Sequence, residues 1–253
     1  MIDLHFHCLP GIDDGPRDWD EAVALCRAAG AEGTRTVVAT PHVLREGWLN
    51  QDPAVRDQLI FKLNAMLGAE PAVLAGCEYA FSSDAVELLE QGASGPLTTL
   101  NRGSYLLLEF LPGPLPAATD AVLHELALME ITPVIAHPER NRRFAGDPSR
   151  LARLVERGAL AQITAGSLLG DFGDGPYEAC QEFYRLGLVH LIASDAHSVD
   201  RRPPRLAAAR DRVRSEWGEE AEEGLFKTNP ASLLASEPIP WRVAAPRGRS
   251  VRS

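Results

Sequence analysis

Histidine organises this sequence. Five of its seven histidines follow directly on short apolar runs and stand close to carboxylates. His5 and His7 lie two residues apart at the end of the first run. In an extended backbone both imidazoles then point to one side and can reach the same ion. Asp13-Asp14-Gly15 follows in the next loop, His42 ends Ala39-Thr40-Pro41-His42, Glu78 follows the third run and Glu109 closes the fourth. His137 heads His137-Pro138-Glu139-Arg140, and Asp195 and His197 close the last run in Ser194-Asp195-Ala196-His197. Imidazole and carboxylate without thiolate suit manganese, iron or zinc better than calcium. So many donors exceed one coordination shell and match a cluster of two or three ions bridged by carboxylates. Each motif alone has a plainer reading: Asp-Asp-Gly is an ordinary turn, and Ser194-Asp195-Ala196-His197 can cap a helix. Glu109 is harder to dismiss, because a carboxylate in an apolar strand is costly unless a cation or hydrogen bonds meet it. His124 and His190 lack this placement and are read as ordinary. Arg140 and Arg202 stand three and five residues beyond His137 and His197, and a guanidinium fork grips phosphate oxygens in two places. A phosphorylated substrate is the chemistry this suggests.

Short apolar runs recur near residues 2–5, 35–39, 72–76, 105–109, 133–136, 160–164 and 189–193. Between and after them lie stretches of helical periodicity near 18–30, 53–67, 83–91, 117–130, 147–157, 176–187 and 204–223. A short all-apolar strand followed by a helix is the unit of a parallel sheet covered on both faces. Asp18 with Glu21 reads as a capping box, and Asp52-Pro53 as an N-cap with a first-turn proline. Seven such units without a long linker predict one barrel-like α/β domain over residues 1–235, although periodicity alone also fits an open sheet. In either fold the C-terminal strand ends converge on one mouth, which is where the histidines and carboxylates fall. Residues 236–253, with prolines and Arg242, Arg247, Arg249 and Arg252, read as a disordered extension.

The chain has 253 residues, 45% of them hydrophobic, enough to bury a full core. Its formal charge of −10 disfavours a nucleic-acid groove. No apolar stretch approaches the roughly 20 residues of a membrane span, and the N-terminus lacks a signal-peptide pattern, so the expected location is the cytoplasm. Cys8, Cys26, Cys77 and Cys180 are scattered, which indicates reduced thiols. No cysteine is followed, after five intervening residues, by an arginine, so a cysteine-phosphatase mechanism has no foundation here.

The motifs His5-Phe6-His7, Ile12-Asp13-Asp14-Gly15-Pro16, Thr40-Pro41-His42, Glu78-Tyr79, Leu108-Glu109-Phe110, His137-Pro138-Glu139-Arg140 and Ser194-Asp195-Ala196-His197 resemble the PHP (polymerase and histidinol phosphatase) superfamily. Within it, the chain is similar to the CpsB-type protein-tyrosine phosphatases of bacterial capsular and exopolysaccharide operons, over about residues 1–235. The resemblance implies a distorted (β/α)7 barrel of the TIM-like PHP fold. It implies a trinuclear or binuclear centre, with manganese as the usual ion and iron, zinc, cobalt or magnesium as alternatives. The implied ligands are His5, His7, Asp14, His42, Glu78, Glu109, His137, Asp195 and His197, with Arg140 and Arg202 on the phosphoryl group. The implied substrate is phosphotyrosine, on the tail of a partner bacterial tyrosine kinase; because bound ions make water nucleophilic, the expected reaction is its direct attack without a covalent enzyme intermediate. A histidinol-phosphatase-like enzyme with the same metal core is the nearest alternative. A PHP nuclease or a non-catalytic PHP scaffold lies further off.

Overall fold

In the computed structural model, which describes residues 1–48 and 52–243, the seven apolar runs become nine strands. The strands are β1 (Ile2–Phe6), β2 (Thr36–Ala39), β3 (His42–Val43), β4 (Ala72–Ala75), β5 (Glu78–Ala80), β6 (Tyr105–Glu109), β7 (Thr132–Ala136), β8 (Leu160–Thr164) and β9 (Leu191–Ala193). The two extra strands arise because the second and third runs each break before the mouth. Pro41 has no N–H to donate to a ladder, so β2 stops and β3 resumes at His42. At Gly76 a Cβ would lie 2.7 Å from Val38 Cγ1; only glycine admits this approach, and it separates β4 from β5.

All ladders are parallel. One sheet runs β1-β2-β4, the other β3-β5-β6-β7-β8-β9. Because β2 continues into β3 and β4 into β5, the two sheets share staves. The ring closes where Phe6 bridges Ala196, with Asp195 N–H donating to His5 O and His7 N–H to Ala196 O, both at 2.9 Å. Asp3 Oδ1 also accepts the Ser194 N–H at 3.0 Å. The open-sheet alternative is thereby removed, and the seven-stave distorted barrel stands. Below the break, the helical turn Leu100–Arg102 stands beside β4.

Side chains two apart on a strand share a face. Leu107 thus lies beneath Glu109 on β6, and Leu160 beneath Gln162 on β8. Leu107 and Leu160 belong with Val38, Val134 and Leu191 to one buried cluster, an apolar floor below a polar rim. Two further clusters pack helices against the barrel wall. The expected N-caps hold, Asp18 accepting the Glu21 N–H at 3.0 Å and Asp52 the Ala54 N–H at 2.8 Å, but the capping box is half made, because the Glu21 carboxylate accepts from Arg17 N instead of Asp18 N. The last expected helix splits at Gly218, whose φ of 96° is open to glycine alone at little cost, into Leu206–Glu216 and Glu219–Glu223. The helix Ala165–Leu169 has too few residues to show a period and was not expected.

The expectation of a disordered extension from Ser236 fails for residues 236–243. Tyr105 Oη donates to Glu237 O at 2.7 Å, Ile239 is buried, and the Trp241 backbone pairs with the Asn229 amide through two hydrogen bonds. Apolar anchors outweigh the prolines and arginine there. Residues 244–253 lie outside the described residues. No described helix is long and apolar enough to cross a membrane. All four cysteines are free and buried.

Candidate metal centre

Every candidate ligand, together with Arg140 and Arg202, lies at the C-terminal mouth of the barrel. Asp14, His42, Glu78, Glu109, His137, Arg140, Asp195, His197 and Arg202 line a polar mouth of about 100 Å³, joined by Arg45. His5 and His7 are fully buried and face Glu78 and Asp195. Four overlapping groups each bring their donor atoms within 4.8 Å of one another: His7, Asp14, His42 and His197; His5, His137 and Asp195; His5, His7 and Glu78; and His42, Glu78 and Glu109. Glu78 links the last two groups, and the His42–Glu78 register pair across β3 and β5 brings its two members to one side.

The donor set fits divalent cations, and tautomers show why. His5 Nδ1 faces Gln162 Oε1 at 2.9 Å, and the Gln162 amide nitrogen donates to Ile163 O, which fixes Oε1 as an acceptor. His7 Nδ1 faces the Asp13 carboxylate at 2.8 Å. Both rings therefore carry hydrogen on Nδ1, and their Nε2 atoms, 3.1 Å apart, meet lone pair to lone pair when both are neutral. Glu78 Oε2 stands 3.4 Å from each Nε2 and 2.8 Å from His42 Nδ1, yet it accepts no hydrogen bond of acceptable geometry; nor does Glu109 Oε2. Buried acceptors facing buried acceptors require a cation between them.

Protons take that role in part. Burial pulls His7 down, but Asp13 and Glu78 outweigh it and raise its pKa to about 10. Burial likewise opposes the Asp14 and Glu78 charges at His42, which still rises to about 9. His197 is lowered to about 4 by burial and by His7. Burial pushes Asp195 up, but His5, Arg202 and His197 hold it well below the usual carboxylate range. The backbone is under tension in the same place: His137 and Asp195 have φ of 32° and 53°, a left-handed conformation that costs a non-glycine residue about 1 kcal/mol or more.

Arg140 Nη1 donates to Asp195 Oδ2 at 2.6 Å, and Arg202 Nη2 donates to the same oxygen. Asp195 Oδ1 faces His5 and His7 instead, at 3.3 and 3.5 Å. One carboxylate thus joins the histidines to the arginines. The Phe172 ring lies 4.7 Å from the Arg140 guanidinium and 6.0 Å from that of Arg202. Arg202 Nε is a buried donor without a hydrogen-bond partner among the described residues.

Sequence reasoning left several contributors unassigned. Asp13 holds His7 while its neighbour Asp14 faces His42 and His197 at 3.4 and 3.1 Å. Gln162 holds His5; an amide within the apolar strand Leu160-Ala161-Gln162-Ile163-Thr164 was a readable signal. Glu139 is buried beneath the mouth, accepting from Thr164 N and Ser167 Oγ at 3.0 and 2.7 Å. Arg45 reaches 3.3 Å from Glu109 Oε2 and 2.8 Å from His42 Nε2 from an irregular loop, and no local pattern announced it.

Residues 1–235 match the family described as capsular polysaccharide synthesis, CpsB/CapC. The tyrosine-protein phosphatase YwqE of Bacillus subtilis is 38% identical over 242 residues, covering 94% of this chain and 93% of that protein. The tyrosine-protein phosphatase CpsB of Streptococcus pneumoniae is 30% identical over 247 residues, 94% of this chain and 100% of that one. A solved structure from work on YwqE and CpsB, described as metal-dependent tyrosine phosphatases, superposes with a TM-score of 0.90 at 36% identity, over 98% of this chain and 100% of the other. An organophosphorus hydrolase from Deinococcus radiodurans shares the fold alone, with a TM-score of 0.57 at 15% identity over 92% of each chain. The chain belongs to the CpsB/CapC family.

Proposed function

We propose that this chain is a metal-dependent protein-tyrosine phosphatase, a phosphoric monoester hydrolase that serves capsular or exopolysaccharide synthesis by dephosphorylating a bacterial tyrosine kinase. The observation that carries the reading is the juxtaposition at Asp195: one oxygen turned to a pair of opposed histidine lone pairs, the other held by two arginines. Family membership and the names of the relatives support the same reaction.

His5, His7, Asp14, His42, Glu78, Glu109, His137, Asp195 and His197 would hold the ions, manganese by preference given imidazole and carboxylate donors without thiolate. When bound, divalent cations make water nucleophilic at neutral pH and neutralise phosphoryl oxygens. The remaining work belongs to the chain. Arg140 and Arg202 are pre-placed by Asp195 and Phe172 to hold the non-bridging phosphoryl oxygens, with the unpartnered Arg202 Nε as a further donor. Asp13 and Gln162 fix the His7 and His5 tautomers, so nothing at the site must reorient during the reaction. The oxygen of water joins phosphorus as the bond to the tyrosyl oxygen breaks, releasing tyrosine and inorganic phosphate. A phenol with a pKa of about 10 leaves with little protonation.

Phosphate release by the manganese-loaded protein, measured with a phosphotyrosyl peptide and with histidinol phosphate, tests the reading. The expected result is a higher kcat/KM for the peptide. Preference for histidinol phosphate would keep the metal centre and overturn the substrate, and no release from either would leave a scaffold.

A further inference from the structure

The metal mouth is too small for the whole side chain of phosphotyrosine. Its volume of about 100 Å³ falls well below the roughly 300 Å³ at which small-ligand pockets begin, and suits a phosphoryl group with its attacking water. The aromatic ring must lie outside it. Directly beside the mouth, and sharing Asp14, His197 and Arg202 with it, runs a groove of about 590 Å³, within the range of small-ligand sites. Its floor is Gly15-Pro16. Gly15 is pressed so closely on the end of β1 that a Cβ would lie 2.7 Å from His7 O, so the floor is fixed to the metal-facing strand.

One wall is the start of helix Trp19–Ala31, with Arg17, Glu21 and Ala24. The other is the loop 198–202, tied by Ser198 Oγ, which accepts from Arg201 N and Arg202 N at 3.1 and 3.2 Å, and by His197 N–H to Arg202 O at 2.9 Å. This bracing holds Arg202 and the groove wall as one unit. Charge does not define the groove. Asp14, Glu21 and Asp200 balance Arg17, Arg201 and Arg202, and Arg17 is already paired with Glu21. What it offers is apolar surface from Ala24 and Val199, the last 44% exposed, above the buried Pro16.

Resting on the phosphatase reading, we infer that this groove is the aryl subsite: it takes the tyrosyl ring of the substrate while the phosphoryl group sits in the mouth. The subsite selects aromatic phosphomonoesters by apolar contact and not acidic peptides by charge.

The test uses the full-length manganese-loaded enzyme and two competitive inhibitors of peptide dephosphorylation, phenylphosphonate and inorganic phosphate. Ala24→Phe fills the groove from an exposed helical position, and Val199→Ser removes its apolar wall. Phenylphosphonate should bind about tenfold more weakly to the first variant and about threefold more weakly to the second, because less of its ring is taken out of water, with inorganic phosphate unchanged on both. Unchanged phosphate inhibition also reports an intact site. Equal shifts for both inhibitors, or no shift for phenylphosphonate in either variant while phosphate still binds, would overturn the aryl subsite alone. A parent enzyme that releases no phosphate from the phosphotyrosyl peptide would overturn the phosphatase reading, and the subsite with it.

Discussion

Replacing Asp13 by asparagine tests whether it orients His7 while its neighbour Asp14 takes the ion, as proposed above. The Asp13 carboxylate accepts from His7 Nδ1 at 2.8 Å and His42 N at 3.2 Å through Oδ2, and from Gly15 N at 3.0 Å through Oδ1. Asparagine has one acceptor oxygen for these donors. If that oxygen stays on His7, the new NH2 faces the Gly15 N–H and a charge-assisted hydrogen bond worth about 1.5–3 kcal/mol disappears. If the amide turns, its NH2 faces His7 Nδ1, and the imidazole must move its proton to Nε2, where an ion needs the lone pair. Either way metal affinity should fall about 10–100-fold, the usual range for losing an orienting partner. The melting temperature should fall by about 3–12 °C at this chain length. Phosphate release from a phosphotyrosyl peptide, followed against manganese concentration, is the assay. The Asp13→Asn curve should shift to higher manganese and reach the parental plateau, whereas Asp14→Asn should lower the plateau itself. A superimposable Asp13→Asn curve, or a plateau that no manganese concentration restores, would refute the assignment.

Replacing both His5 and His7 by alanine should abolish phosphate release and remove manganese-induced thermal stabilisation while the far-ultraviolet circular dichroism stays that of a folded barrel; residual manganese stabilisation would contradict the ligand set. Because His7 and His42 hold protons up to about pH 10 and 9 in the ion-free chain, ions must displace them, and calorimetric titration between pH 8 and 6 should show affinity falling about tenfold per displaced proton for each unit of pH. Phe172→Leu removes the ring beside both arginines and should lower kcat/KM about 3–30-fold; Phe172→Tyr keeps the ring face and should recover the parental value, and equal losses in both would leave the ring without a positioning role. Burial lowers the pKa of His190 to about 4, so as pH falls below 6.5 the unfolded chain takes up a proton first and stability is lost. Urea unfolding at pH 7 and pH 5 should show the parent losing about 2 kcal/mol more than His190→Gln, and parallel losses would dismiss the effect.

Strands that carry the site were legible because each joins an all-apolar centre to one polar residue at its end. Leu106-Leu107-Leu108 with Glu109, and Val134-Ile135-Ala136 with His137, are such cases: burial on both faces dictates the first part, and only function accounts for the second. The breaks at Pro41 and Gly76 were not legible as breaks. A proline and a glycine at a strand end look the same whether the chain stops or resumes, and the clash that demands Gly76 comes from Val38, on another strand. Orienting residues were harder still. Asp13 and Asp14 are adjacent and chemically identical, and what separates them is depth: the Asp13 side chain is 1% exposed and the Asp14 side chain 39%. Arg45 depends on an irregular loop whose course no periodicity encodes. The packed segment 236–243 reads as disordered because its composition is polar and proline-rich, while its few apolar residues, Ile239 and Trp241, find long-range partners.

The site gathers features that folding by itself opposes. Two of its residues are left-handed, two buried carboxylate oxygens lack hydrogen bonds, and the Nε2 atoms of two imidazoles face each other at 3.1 Å. Each costs on the order of 1–3 kcal/mol, a large share of the net stability of about 5–15 kcal/mol for a typical domain. The surrounding structure holds them regardless, through Gln162, Asp13, the Asp3–Ser194 closure and the two arginines on Asp195. The contacts between acceptors are relieved by one change, the arrival of positive charge between them. A cluster that existed only to support the barrel could have been apolar at lower cost. The unpartnered buried oxygens of Glu78 and Glu109, set beside histidine nitrogens at the ends of their strands, are therefore the physical reason to read this mouth as built for cations.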